Sequence, residues 1–139
     1  MSVIGTGIDL VEIARFRETL ARWEGRFKDR LFLPGEQAYC EATAAPWMHY
    51  AARFAVKEAV AKAFQTGIGS RLSWLDIEVV RDPETGAPSV RLSENGKALA
   101  ASRGVTRVMV SISHTAHYAV AQAILAGDEH DSGREGRRL

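Results

Sequence analysis

The stretch from Tyr50 to Gly69, YAARFAVKEAVAKAFQTGIG, constrains the fold more than any other part of the chain. Ala, Val and Phe make up most of it, and neither Gly nor Pro occurs before Gly67, so the pattern predicts a helix. On a helical wheel Ala55, Val56, Ala59, Val60 and Ala63 share one arc, which faces a core. The charges fall into two i,i+4 pairs, Arg53 with Lys57 and Glu58 with Lys62. Two readings of the second pair stand. Glu58 before Lys62 is the favourable order for a surface ion pair of about 0.2–0.5 kcal/mol. Alternatively, a carboxylate and an ammonium held rigidly at the edge of a core grip a metal ion and a phosphate.

A chain of 139 residues fits one domain with a core that needs neither disulfides nor structural metal. Its 46% hydrophobic and 25% charged residues are those of a soluble globular protein. A formal net charge of +1 argues against a generic nucleic-acid binder. Cys40 has no second cysteine to bridge to, and no Cys/His cluster has zinc spacing, which suits a reducing compartment. The N-terminus lacks a basic region followed by an apolar run, and no segment is long enough to span a bilayer. The expected location is cytoplasmic, away from any membrane.

Val3 to Ile8 reads as a short strand whose Gly5 and Gly7 allow close backbone approach. The run after it, LVEIARFRETLARWEGRF, has helical spacing at Val11 or Ile13, Phe16, Leu20 and Trp23. Asp9 then fits either of two roles: N-cap of that helix in a capping box with Glu12, or a ligand. Arg15, Arg22 and Arg26 stack on one side of the predicted helix and suit an acidic partner. A short helix is expected from Pro34, and Pro46 marks the start of the central helix. Trp74 to Val80 and Ser89 to Leu92 form a hairpin around the turn Asp82 to Gly86. A helix from Ser93 to about Arg103 follows, capped by Gly104. Val108 to Ser113 and Tyr118 to Leu125 form a second hairpin, joined by a turn rich in polar groups, including His114, Thr115 and His117.

Three separated segments, GIDLVEIARF, RFAVKEAVAKAFQTGI and SISHTAHYAVA, together resemble the bacterial holo-[acyl-carrier-protein] synthases, the small 4′-phosphopantetheinyl transferases. The likeness covers nearly all of residues 3–125. It implies an α+β fold, with a small antiparallel sheet against a long central helix, and a homotrimer with sites at subunit interfaces. The likeness fits one domain over 1–126 and has no counterpart to the tail at 127–139, whose polar composition predicts disorder. The implied reaction is Mg²⁺-dependent transfer of 4′-phosphopantetheine from coenzyme A to a serine of apo acyl carrier protein, releasing adenosine 3′,5′-bisphosphate.

By position, the resemblance makes Asp9 and Glu58 the Mg²⁺ ligands and places Lys62 beside the coenzyme phosphates. His114 belongs to the coenzyme side, and so, on the same expectation, do Thr66, Gly67, Pro88 and Thr115. Glu58, Lys62 and His114 are the expected catalytic residues. Glu58 or a metal-bound water takes the serine proton. Arg15, Arg22 and Arg26 are expected against the acidic carrier. Oxygen ligands and substrate phosphates suit magnesium, and phosphoryl-type transfer needs positioning and charge neutralisation above all. Two departures from the family pattern stand out: Gln65 replaces a glycine after the central helix, and Ala87 replaces the lysine of a Gly-Lys-Pro turn. Two other readings are a non-enzymatic oligomeric module that binds an acidic partner through the arginine face, and a Mg²⁺-dependent enzyme acting on a nucleotide alone.

Overall fold

The computed structural model describes residues 1–23 and 26–128. Strand β1 (Ser2–Glu12) leads into helix α1 (Ile13–Arg22), followed by α2 (Arg26–Leu31), α3 (Pro34–Glu41) and α4 (Pro46–Ala63). A 3₁₀ turn at Trp74–Asp76 precedes β2 (Ile77–Arg81) and β3 (Pro88–Leu92). Helix α5 (Glu94–Ser102) and the hairpin of β4 (Val105–His114) and β5 (Tyr118–Gly127) follow. One antiparallel sheet has the order β1-β5-β4, and β2 pairs with β3 in a second.

Helix α4 lies across one face of the larger sheet at backbone contact distance. A Cβ added at Gly5 would overlap the carbonyl of Ala63, and one at Gly7 would overlap that of Ala59. Opposite them, Ala119, Ala121 and Ala123 of β5 are buried on the same face, so small side chains on both layers let the helix settle into the sheet. The arc of Ala55, Val56, Ala59, Val60 and Ala63 is buried as its spacing predicts. The opposite sheet face carries Ile8 and Leu10, each 63% exposed, and no described element covers it.

Asp9 does not cap a helix. Strand β1 continues through Glu12 because β5 offers hydrogen-bond partners along its whole length, pairing Asp9 with Ala121 and Glu12 with Tyr118. The N-cap of α1 is Glu12, without a side-chain cap, so the Asp9–Glu12 capping box is absent. The first helix is also shorter than its apolar spacing suggested: α1 ends at Arg22, and Arg26 opens a separate helix instead of continuing the Arg15–Arg22 face. Phe16 and Leu20 enter the core, whereas Trp23 stays exposed, tilted against Phe27 with ring centroids 5.2 Å apart.

Trp74 to Asp76 turns where a strand was expected. The Asp76 carboxylate accepts hydrogen bonds from the Ser73 amide at 2.8 Å, Ser93 Oγ at 2.6 Å and Asn95 Nδ2 at 3.0 Å, and these local bonds outcompete a ladder. The expected Ser93 cap forms, its Oγ accepting from the Gly96 amide, and Gly104 has the left-handed φ of a helix stop.

Beyond α4, Gln65 has φ +62°, the only non-glycine residue with positive φ among the described residues. It adopts the conformation that a glycine would take there without penalty, at a cost of about 1–2 kcal/mol. The amides of Thr66 and Gly67 return to the Ala61 carbonyl, so the departure leaves the C-cap intact.

Arg53 and Lys57, both cations, do not bond each other although they lie one turn apart. Lys57 is fully buried and donates to Glu36 Oε1 at 2.7 Å and to the Trp74 carbonyl at 3.0 Å. Glu36 in turn accepts from the amides of Leu33 and Val79, so one buried pair ties α3, α4 and β2 together. Burial pushes the Lys57 pKa down, and the Glu36 charge opposes that shift. The expected disordered tail lies outside the described residues except for Gly127, which ends β5, and Asp128. Among the described residues no helix is long and apolar enough to cross a membrane.

The seating of α4 on β1 is testable by chemical denaturation. Gly7→Ala forces a Cβ into the α4 backbone and is expected to cost at least about 2 kcal/mol. Gly69→Ala, with open space around the added carbon, is expected to stay within about 0.5 kcal/mol. Equal effects of the two would show that the contact is unimportant.

Candidate active site

The alternation that turns Gly5 and Gly7 toward α4 turns Asp9 the same way. On α4, Glu58 and Lys62 are one turn apart and border the buried arc. Lys62 does not pair with Glu58. Its Nζ donates to Asp9 Oδ1 at 2.9 Å and to the Ile8 carbonyl at 3.0 Å, linking helix to strand. The preference for a short intrahelical pair is overridden because the strand presents two acceptors together, one of them charged.

Glu58 is left without a cation partner among the described residues. It shares with Asp9 and Arg15 a groove of about 500 Å³ whose walls include Phe16, Phe54 and Tyr118. Burial raises the Glu58 pKa, the nearby Asp9 charge raises it further, and Lys62 partly counteracts them. Two carboxylates that repel one another beside an open groove suit a hard divalent cation, which relieves the repulsion. Among the described residues no cluster of three or more His, Cys, Asp or Glu forms. A cation held there would complete its shell with water or phosphate oxygens, the pattern magnesium favours.

A second cavity, of about 340 Å³, contains His114 and Pro88 from the sequence expectations. It also contains His49, Arg53, Arg81 and Tyr39, which sequence reasoning did not assign to a site. Arg53 is 6% exposed, its guanidinium stacks 4.1 Å from the centre of the Tyr39 ring, and its Nε has no hydrogen-bond partner among the described residues. A cation in an alanine-rich helix was the available signal, but nothing near it in the chain marks the groups it meets.

Other expected residues stand apart from these two cavities. Thr66 and Gly67 close the end of α4, and the Thr66 hydroxyl bonds the Gly67 carbonyl at 2.8 Å. Thr115 holds the β4–β5 turn, its Oγ1 accepting from the amides of His117 and Tyr118. Arg22 and Arg26 are exposed beyond the groove that Arg15 lines.

Comparison with known proteins defines the class. Residues 5–123 match the model of the 4′-phosphopantetheinyl transferase superfamily. The holo-[acyl-carrier-protein] synthase of Chlamydia trachomatis serovar D is 46% identical over 122 residues, covering 88% of this chain and 98% of that one. That of Syntrophus aciditrophicus is 44% identical over 125 residues, covering 90% and 97%. Among solved structures, the Helicobacter pylori synthase in complex with coenzyme A superposes with a TM-score of 0.77 at 35% identity, covering 87% of this chain and 99% of that one. The Neisseria meningitidis synthase gives 0.84 at 27% identity, covering 90% and 99%. The chain therefore belongs to the 4′-phosphopantetheinyl transferase superfamily and is an enzyme of its holo-[acyl-carrier-protein] synthase branch. The α+β fold with a small antiparallel sheet is the one those structures share.

The raised Glu58 pKa has a consequence for stability. A carboxylate whose folded pKa lies above its unfolded value favours the folded state most when protonated, and that contribution is lost as pH rises through the folded pKa. Glu58→Gln removes the cost of the charge. Without added metal, its Tm should exceed that of the unsubstituted chain by a few degrees at pH 7, and the gain should vanish as pH falls below about 4.3, the ordinary glutamate value. A Glu58→Gln protein that melts lower at pH 7 would contradict the repulsion inferred here.

Proposed function

We propose that the chain transfers 4′-phosphopantetheine from coenzyme A to a serine hydroxyl of an apo acyl carrier protein, with Mg²⁺, releasing adenosine 3′,5′-bisphosphate. The observation that carries this reading is the pair of carboxylates, Asp9 and Glu58, on one groove with Lys62 bonded to Asp9. The binding of coenzyme A by the Helicobacter pylori relative supports the donor, and the names of the relatives support the acceptor.

In this reading Asp9 and Glu58 hold the cation. Bound there, Mg²⁺ neutralises negative charge on the diphosphate. Lys62, half exposed, exchanges part of its bonding to Asp9 for a diphosphate oxygen and steadies the departing charge. The serine oxygen forms a bond to the β-phosphorus, the bridging oxygen leaves with adenosine 3′,5′-bisphosphate, and Glu58 takes the serine proton. Exposed Arg15, with Arg22 and Arg26, faces the acidic carrier and steers its approach.

Incubating apo carrier protein with coenzyme A and Mg²⁺ should raise its mass by one phosphopantetheine group, and a chelator should abolish the gain. Asp9→Asn and Glu58→Gln should lower kcat/KM by at least about 100-fold, whereas Arg15→Glu with Arg22→Glu should raise KM for the carrier about tenfold and leave that for coenzyme A unchanged. An unmodified carrier would end this reading.

A homotrimer completes the proposal. His114 and Pro88 line a different cavity from Asp9 and Glu58, so a site using all four is assembled more simply from two subunits than from one. The uncovered face with Ile8, Leu10, Val120 and Ile124 is apolar enough to bury between subunits. Light scattering should give three times the chain mass, and a monomer that retains activity would exclude a shared site.

A further inference from the structure

Between Tyr50 and Ala61 every residue of α4 is buried except Phe54 and Glu58, which lie one turn apart and line the same groove as Asp9. These two side chains are the strip of the helix that reaches the carboxylate site. Glu58 has a chemical task there, whereas Phe54 has no reactive group of its own.

Phe54 is held by two other rings. It packs against Phe16 of α1, also on the groove, with centroids 4.9 Å apart. It stacks on Trp74, which does not line the groove, at 4.8 Å with the ring planes 25° apart. The core fixes Trp74 in turn. Its carbonyl accepts a hydrogen bond from Lys57 Nζ at 3.0 Å, and the Lys57 ammonium is fully buried against Glu36. The turn that carries Trp74 is tied at its other end, where the Asp76 carboxylate accepts from Ser73, Ser93 and Asn95. An indole anchored through its backbone therefore stands against a groove-lining phenyl ring.

The two carboxylates of the site differ in freedom. Asp9 lies on a strand paired with β5 and is bonded to Lys62, whereas Glu58 has the longer side chain and no cation partner among the described residues. Helical side chains lean toward the N-terminus, so Glu58 leans over the turn that carries Phe54. We infer that Trp74 is a positioning residue for Glu58: its ring keeps Phe54 out in the groove, and Phe54 limits the rotamers open to the carboxylate, holding it toward Asp9 for a divalent cation. This inference rests on the transferase reading, in which Asp9 and Glu58 hold Mg²⁺. Magnesium demands near-ideal placement of its oxygen ligands, so every rotamer excluded beforehand lowers the entropy lost on binding. Without the indole, a space opens into which the Phe54 ring can turn, and Glu58 loses its wall.

Calorimetric titration of the full-length protein with Mg²⁺ at saturating coenzyme A tests the role of Trp74. Trp74→Leu should weaken Mg²⁺ binding at least about tenfold, and Trp74→Phe, which keeps a ring against Phe54, should restore most of it. Phe54→Leu with Trp74 in place should weaken it by a similar factor, since the effect passes through Phe54. In the transfer assay Trp74→Leu should lose rate at limiting Mg²⁺, recover kcat to within about twofold at saturating Mg²⁺ and keep its KM for the carrier. Val79→Ala, which removes buried volume from β2, should lower Tm as well but leave Mg²⁺ affinity unchanged, separating positioning from loss of stability. Unchanged Mg²⁺ affinity in Trp74→Leu or Phe54→Leu, or a loss that Val79→Ala matches, would overturn the inference and leave the transferase reading intact. So would a higher KM for the carrier with Mg²⁺ affinity unchanged, which would make the ring stack a carrier contact only. Failure of the unsubstituted protein to bind Mg²⁺ would overturn both this inference and the metal role of Asp9 and Glu58.

Discussion

The contact on which the rest of the structure depends is the close seating of α4 against β1. Two glycines on the strand lie against the backbone carbonyls of Ala59 and Ala63, so no strand side chain holds the layers apart there. Dispersion gains from such a contact fall steeply with separation, so a gap of one methyl group forfeits much of the packing. The same seating decides chemistry. Asp9 lies two residues beyond Gly7 on the same face, and only with the layers this close does Lys62 reach both its carboxylate and the Ile8 carbonyl.

Charge is distributed along α4 by depth. Lys57 is committed to the core, held by Glu36 and the Trp74 carbonyl. Removing either partner would strand a buried charge, which typically costs about 3–5 kcal/mol, so this pair acts as a structural tie. Lys62 is half exposed and paired to a carboxylate at the groove, within reach of solvent. Arg53 lies between these extremes: buried, stacked on Tyr39 and not fully bonded. Three cations on one helix thus sit in three different environments, and depth relative to the sheet separates them.

Much of the architecture was legible from local pattern. The alanine arc of α4, the Pro34 and Pro46 helix starts, the Ser93 cap and the two hairpins depend on residues within a few positions of one another, and each appears where its spacing places it. The misreadings share one cause. Asp9 and Glu12 fit a capping box as well as a strand, and the choice fell to the long β5 ladder contributed by residues more than a hundred positions away. Trp74 to Asp76 alternated like a strand but was captured by hydrogen bonds from Ser93 and Asn95.

For the site, spacing alone left Asp9 between a helix cap and a ligand and Glu58 with Lys62 between an ion pair and a site, and it was the resemblance of three segments to a known family that singled out Asp9, Glu58, Lys62 and His114. Which of them meet was a different matter. Lys62 bonds a residue 53 positions distant instead of its helical neighbour, and Lys57 bonds one 21 positions distant. His49, Arg53 and Arg81 share a cavity with no sequence signal joining them. Local hydrogen bonding and hydrophobic period act between near neighbours and can be read along the chain. Ion pairing and cavity formation act through space, so helix depth, strand register and layer spacing had to be fixed before those partners were defined.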